Sequence, residues 1–394
     1  MTLTRAAFDL EGELAELREA GLYRELRRVE GAIGPHLTID GRDYLNLASN
    51  NYLSLTTHPR VVAAAQEALA RYGTGAGASR LVTGHLAIHE ELERALAEFK
   101  QTEAALVFPT GYMANLGAIT ALLGPGDLMI ADRLAHASLV DACRLSRATF
   151  WVYPHRDLER LRALLARRKN IRRTLVVTES VFSMDGDLAP LPALWALCQS
   201  SEAWLLVDDA HGTGVLGVTG RGALEHFQMR PADGLIQMGT LSKALGSLGG
   251  FVAGSHTLIE YLRNKARSFI YTTALPPSVA AAALMAIRVV QEEPQWRQQL
   301  WASVTLWTEG LRGLGLPLTD SATPIVPILL GDTARTMAVA QALRAAGIIA
   351  PGIRPPTVPK GEARVRTTVM ATHAPRELRE ALVKITALVH RGEL

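Results

Sequence analysis

From Glu103 onward the chain alternates short apolar runs with stretches of helical periodicity, and this order constrains its fold more than any other feature. The strand-like runs fall at 104–108, 128–131, 150–153, 174–178, 204–207, 235–238 and 250–253, with helical spacing of apolar residues at 111–123, 136–147, 157–168 and 192–200. Parallel neighbours need long crossovers, usually helical. Repeated β-then-α order therefore predicts an α/β fold with a mainly parallel sheet covered by helices on both faces. Ligands of such sheets bind outside the carboxyl ends of the strands. Further on, helical patterns at 278–293, 295–314, 334–346 and 375–390 and strands at 325–330 and 364–370 predict a smaller α+β C-terminal domain. The expected divisions are an N-terminal arm (1–50), a large domain (51–285) and a small domain (286–394). In the arm, Leu10, Leu14, Leu17, Leu22 and Leu26 predict an amphipathic helix broken near Gly21, docked on the main body or on a second subunit.

Composition narrows the setting. A formal charge of +3 over 394 residues offers no electrostatic case for nucleic acid as a partner. The basic run 156–173 holds Leu158, Leu161, Leu164 and Leu165 at helical spacing, so it is expected to be the solvated face of an amphipathic helix. Cys143 and Cys198 form neither a disulfide framework nor a metal-ligand pattern, and no metal site is expected. No window supplies the roughly 18 apolar residues of a membrane span. Asp9, Glu11, Glu13 and Glu16 interrupt any apolar leader, and a cytoplasmic protein is expected.

Four polar segments sit where chemistry is expected. Thr240-Leu241-Ser242-Lys243 ends a strand and precedes a glycine-rich segment; its lysine is either a solvated surface residue or an amine held for covalent chemistry. Gly73 to Arg80 is a glycine-rich loop, read equally as a phosphate or acyl-carrier cradle or as plain surface loop. Pro109-Thr110-Gly111-Tyr112 opens a helix, where Thr110 caps the end or the free amides bind an anion. Val207-Asp208-Asp209-Ala210-His211 ends an apolar strand in two carboxylates and an imidazole. These are loop caps, or a carboxylate and imidazole that hold a pyridine ring acting as an electron sink.

Taken in order, these segments resemble the fold-type-I pyridoxal-phosphate enzymes, and within them the α-oxoamine synthases. The resemblance spans nearly the whole chain. It rests on Ser49 to Leu53, the glycine-rich loop, Gly111-Tyr112, Asp132 to Ser138, Glu179 to Asp187, Val207 to Gly214 and Thr240 to Lys243, with the strings VFSMDGD and DDAHGTG the most specific. Ile353 to Pro359 resembles the members that condense L-alanine with a pimeloyl thioester, on coenzyme A or a carrier protein, in biotin synthesis. Ser180 stands where a glycine is common in that family and places a hydroxyl beside the expected cofactor pocket.

The resemblance implies a pyridoxal 5′-phosphate cofactor and a role for each matching residue. Lys243 bonds the cofactor and then takes the proton from the substrate Cα. Asp208 pairs with the pyridinium nitrogen, His211 bonds the ring oxygen and His136 stacks on the ring. Gly111, Tyr112, Ser183 and Thr240 lie at the cofactor, and Thr273 reaches the phosphate of a neighbouring subunit, implying a homodimer with shared sites. Arg366 is the candidate for the amino-acid carboxylate, Asn50 for the acyl carbonyl, and Arg24, Arg354 and Thr357 for the acyl substrate. Two rivals are a glycine-using synthase such as glycine C-acetyltransferase, and a catalytically silent binding protein on the same fold.

Overall fold

The computed structural model describes residues 8–394; the first seven residues of the expected arm lie outside the described residues. Seven strands form the central sheet: β1 (Ala104–Phe108), β2 (Leu128–Asp132), β3 (Thr149–Tyr153), β4 (Thr174–Glu179), β5 (Trp204–Asp208), β6 (Leu235–Thr240) and β7 (Gly250–Gly254). Their order across the sheet is β1-β7-β6-β5-β4-β2-β3. The run from β6 to β3 is parallel, while β7 is antiparallel to both β6 and β1. Strands β2, β4, β5, β6 and β7 are buried along their whole length, which explains why they read as unbroken apolar runs rather than as alternation. (Only Trp204, at the start of β5, reaches solvent.) Each expected strand and helix of this region is present with ends shifted by a residue or two.

The four parallel strands at the centre end in Asp132, Glu179, Asp208 and Thr240, so polar residues converge on one edge of an otherwise apolar layer. After β1 the helix Gly111–Leu122 starts at Thr110, whose hydroxyl accepts from the Met113 amide at 3.1 Å. This helix is apolar on every side and buried, with Asn115 its one fully buried polar residue. The basic run forms the helix Leu158–Arg167, which buries Leu161, Leu164 and Leu165 and leaves its arginines outside.

The helix Pro277–Glu292 packs on Pro59–Tyr72 and Ala87–Lys100, and the chain then enters the C-terminal region. There, Ile325–Gly331, Ala363–Thr368 and Gly352–Ile353 make an antiparallel sheet. Within residues 1–50, the helix Leu10–Glu19 ends before Gly21, and its leucines are exposed rather than docked on this subunit. The segment after it is not helical. His36–Ile39 and Arg42–Asn46 pair as a hairpin, and the second strand runs parallel to Ile348–Ile349. Periodicity had also passed over the helices Ala87–Lys100 and His256–Lys265. No helix among the described residues is long and apolar enough to cross a membrane.

One close approach sets the position of the Gly111 helix. A Cβ on Gly250 would lie 2.5 Å from the Gly111 Cα and 2.6 Å from the Thr110 carbonyl oxygen, so β7 can meet the helix start only as glycine. Gly250→Ala is expected to cost about 1–3 kcal/mol through overpacking against backbone, read as a lower urea midpoint at unchanged m.

Candidate active site

Lys243 follows β6 and turns its amine back over the sheet edge, where Nζ lies 2.8 Å from His211 Nε2. On the other side of the imidazole, Nδ1 is 2.7 Å from the Tyr52 hydroxyl, which donates to Asn50 Oδ1 at 3.2 Å. The Arg366 guanidinium donates to the same Asn50 oxygen at 3.3 Å and, through Nε, to the Ser183 carbonyl at 2.6 Å. Residues from both ends of the sequence thus meet the loops of the central sheet.

Asp208 ends β5 beside Glu179 of β4, its register partner. Asp208 accepts from Asn115 Nδ2 at 2.8 Å and from the Ala210 amide at 3.0 Å. Glu179 accepts from the Ser183 amide at 3.3 Å, and its Oε1 is buried without a partner at hydrogen-bond distance among the described residues. Asn115 Nδ2 also donates to Ser138 Oγ at 2.9 Å, and that hydroxyl lies 2.8 Å from His136 Nδ1. His136 caps the helix Ala137–Ser146 through the same nitrogen, which accepts from the Ser138 amide.

Burial governs the ionisation of this cluster. It lowers the pKa of Lys243, with the Asp208 and Glu179 charges opposing the shift and Arg366 adding to it. It raises Glu179, and the neighbouring Asp208 charge pushes the same way. His211 is driven well below the usual imidazole range by burial and by the Lys243 and Arg366 charges. His136 is also lowered by burial, and Tyr52 is pushed up to about 12 by burial against the opposing effect of Arg366. A neutral His211 can accept from Lys243 at Nε2 and donate from Nδ1 to Tyr52, which matches the distances.

The start of the Gly111 helix borders the same space. A Cβ on Gly111 would lie 3.2 Å from Met238 Cε and 3.5 Å from Thr240 Oγ1, at the end of β6. The Gly111 and Tyr112 amides find no partner among the described residues, so the helix end presents free N–H groups suited to an anion. Thr240 Oγ1 lies 2.7 Å from Ser242 Oγ and donates to the Gly249 carbonyl at 2.9 Å.

Of the residues singled out in the sequence, Lys243, His211, Asp208, Ser183, Arg366 and Asn50 fall into one connected set, with His136 joined to it through Ser138 and Asn115. The Tyr112 side chain is exposed and donates to Asp141 at 2.7 Å. Thr273 is exposed and bridges to Ser79. Arg24 is exposed and borders, with Arg354, Met337 and Arg344, a separate cleft of about 1110 Å³. Thr357 is exposed three residues beyond Arg354. Ser180 corrects the expectation placed on it: its fully buried hydroxyl donates to Asp209 Oδ1 at 2.7 Å, so it serves the second carboxylate and not the pocket. Tyr52, Asn115, Ser138 and Glu179 were not singled out individually. A lone Asn in an all-apolar helix was the one available signal for Asn115. Among the described residues, no group of three or more His, Cys, Asp or Glu side chains could hold a metal.

Asp209 faces away from the pocket into a buried support. It accepts from Lys100 Nζ at 2.9 Å, Thr213 Oγ1 at 3.0 Å and the Ala223 amide at 3.2 Å, besides Ser180. The Lys100 and Asp209 side chains are 1% and 2% exposed. Lys100→Met leaves that carboxylate without its counter-charge, with an expected loss of about 3–5 kcal/mol in urea unfolding; Lys100→Met with Asp209→Asn is expected to recover part of it.

Comparison with known proteins fits this geometry. Residues 42–385 match the family model described as aminotransferase class I and II. A Geobacter sulfurreducens protein named 8-amino-7-oxononanoate synthase is 51% identical over 381 residues, 96% of this chain and 97% of that protein. Among solved structures, a serine palmitoyltransferase variant from S. paucimobilis with bound PLP–myriocin aldimine superposes at a TM-score of 0.91, with 35% identity over 98% of this chain and 97% of that one. An 8-amino-7-oxononanoate synthase from Francisella tularensis gives 0.77, with 28% identity over 89% and 99%. The chain belongs to the aminotransferase class I and II family, within its α-oxoamine synthases.

Proposed function

We propose that this protein condenses L-alanine with a pimeloyl thioester, with loss of carbon dioxide and free thiol, to give 8-amino-7-oxononanoate. The observation that carries the reading is the half-buried Lys243 amine at 2.8 Å from a neutral His211, beside the paired ends of β4 and β5. The 51% identical relative named 8-amino-7-oxononanoate synthase supports the substrate choice.

The residues fit pyridoxal 5′-phosphate. Free amides at Gly111 and Tyr112 suit its phosphate, Asp208 suits a protonated ring nitrogen, and the buried Glu179 Oε1 and Asn115 Oδ1 lack partners among the described residues. When bound, that cofactor supplies a carbonyl for the substrate amine and a ring that takes up electron density from Cα. Lys243 is the covalent attachment point and the base at Cα; burial, which disfavours its ammonium form, makes the amine available for both tasks. Asp208 is oriented by two hydrogen-bond donors, Asn115 Nδ2 and the Ala210 amide. His136 would lie against the ring of that cofactor, with His211, Ser183 and Thr240 supplying polar groups near it. Arg366 binds the alanine carboxylate, with Nε and Nη2 oriented by Ser183 and Asn50. A carbon–carbon bond would then form between Cα and the acyl carbonyl carbon as the carbon–sulfur bond breaks and the thiol departs; after the carboxylate leaves as carbon dioxide, Lys243 would return a proton to Cα.

The acyl chain is assigned to the cleft bordered by Arg24 and Arg354, with Thr357 nearby and Asn50 at the reacting carbonyl. Exposed Thr273 is assigned to the phosphate of a second copy, in a homodimer with shared sites.

Lys243→Ala is expected to abolish turnover while leaving the unfolding midpoint within about 1 kcal/mol; turnover near that of the unsubstituted protein would remove the assignment. Alanine, glycine and serine assayed in turn against pimeloyl and acetyl thioesters test the substrates. The highest kcat/KM is expected for alanine with the pimeloyl thioester, and a preference for glycine with acetyl-CoA overturns the choice.

A further inference from the structure

His155 follows β3, outside the connected set around Lys243, yet its ring joins two of the segments that build that set. Its Nδ1 lies 3.0 Å from Asp132 Oδ1 and its Nε2 lies 2.9 Å from Asp187 Oδ2. Carboxylate oxygens only accept, so both ring nitrogens carry a proton and the ring is an imidazolium. The ring stands edge-on to Phe182, with centroids 4.4 Å apart and planes at 87°.

Each carboxylate organises its own segment. Asp132 ends β2, accepts from the Leu134 amide at 2.8 Å and the Arg156 amide at 2.9 Å, and starts the turn that delivers His136. Asp187 closes the loop that begins at Phe182: the Phe182 amide donates to its carbonyl at 3.0 Å. That loop carries Ser183, whose carbonyl holds Arg366 and whose amide reaches Glu179. Asp132 and Asp187 are 2% and 6% exposed, so neither charge is answered by bulk water. Besides them, the ionisable groups facing the ring are Arg156, whose Nη1 donates to Asp187 at 3.0 Å, and the buried Tyr153 phenol near Asp132.

We propose that His155 is a positioning residue: a charged clamp that fixes the His136 turn and the Ser183 loop relative to each other, and thereby orders the cofactor-facing walls of the site. The naming of those walls rests on the proposed function; the clamp itself does not. Burial works against the charge on His155, but hydrogen bonds to Asp132 and Asp187 outweigh it and raise the pKa to about 9. A folded-state pKa above the unfolded one gives stability that is complete below about pH 6.5 and is lost as pH rises through about 9. Deprotonation leaves one carboxylate facing a ring nitrogen without a hydrogen between them.

The test uses the full chain loaded with pyridoxal 5′-phosphate and compares it with His155→Asn and His155→Arg. Melting temperature and the visible circular dichroism of the bound cofactor are followed from pH 6.5 to 10. At pH 7, His155→Asn is expected to melt lower and to lose at least half of the induced signal. The gap between it and the unsubstituted protein is expected to narrow by more than half by pH 10, because that protein loses the same charge. His155→Arg keeps a permanent cation and is expected to hold its induced signal at pH 10. A gap that stays constant with pH, or an induced signal unchanged in His155→Asn, overturns the clamp. Should His155→Arg not fold, the pH dependence of the gap decides alone. A protein that shows the gap but makes no amino ketone from alanine and pimeloyl thioester loses the proposed reaction and keeps the clamp.

Discussion

A half-buried amine beside two carboxylates is the interaction on which this site depends. Burial disfavours the charge on Lys243, and Asp208 and Glu179, neighbours across the β4–β5 ladder, oppose that effect. Two carboxylates in that register repel, and the donors they meet differ. Asp208 receives the Asn115 amide and the Ala210 backbone, whereas Glu179 has one long contact from Ser183 and an unpartnered oxygen. Burial, with the neighbouring Asp208 charge, raises the Glu179 pKa toward its neutral acid. The carboxylate assigned to a pyridinium nitrogen is held in place by a helix residue far from the DDAH string.

The same rule operates one layer deeper. Asp209 follows Asp208 but points the other way, where Lys100 answers its charge and Ser180, Thr213 and Ala223 fill its remaining acceptor sites. Space for that carboxylate is made by glycines: a Cβ on Gly212 or Gly222 would lie 2.1 or 1.8 Å from an Asp209 oxygen. Part of the glycine pattern in this region thus serves a buried charge rather than a flexible loop. An analogous arrangement holds Arg364, 1% exposed, against Asp185 and the Met184 carbonyl. Buried ion pairs are weak sources of net stability, but breaking one is costly, so each resists local rearrangement around the pocket.

What could be read from the chain follows from the range of the physics involved. Strands β2 and β4 to β7 were legible because burial on both faces writes an unbroken apolar run, edge strand β3 because its residues are aromatic and β-branched, and most of the helices between them because one buried face writes a period. The helix Ala87–Lys100 escaped because its buried face includes His89, Glu93 and Lys100, so ion pairing disguises it as polar. Lys243, Asp208 and His211 took their expected roles from the family resemblance; local pattern alone left a solvated lysine and loop caps as open readings. Asn115, Tyr52 and Lys100 act through contacts more than 90 residues away in sequence, which no local pattern records. Ser180 was misplaced for a related reason. A residue just beyond a strand end can face the pocket or the support beneath it, and the Asp209 carboxylate, not the local sequence, settles which.

The long-range contacts also explain how residues near both termini come to face one amine. The Thr368 amide donates to the Leu47 carbonyl at 2.9 Å and the Ala371 amide to the Tyr52 carbonyl at 2.8 Å, lacing the 47–52 segment to the end of the strand that carries Arg366. That lacing completes an unbroken run of polar contacts from Lys243 through His211, Tyr52 and Asn50 to Arg366. A carboxylate bound at Arg366 is then registered against the Lys243 amine by four fixed contacts rather than by the flexibility of either long side chain. The lysine follows a strand of the central sheet and the arginine lies in the C-terminal sheet. It is the Tyr52–Asn50 link, laced by backbone to the C-terminal sheet, that makes their separation a property of the fold.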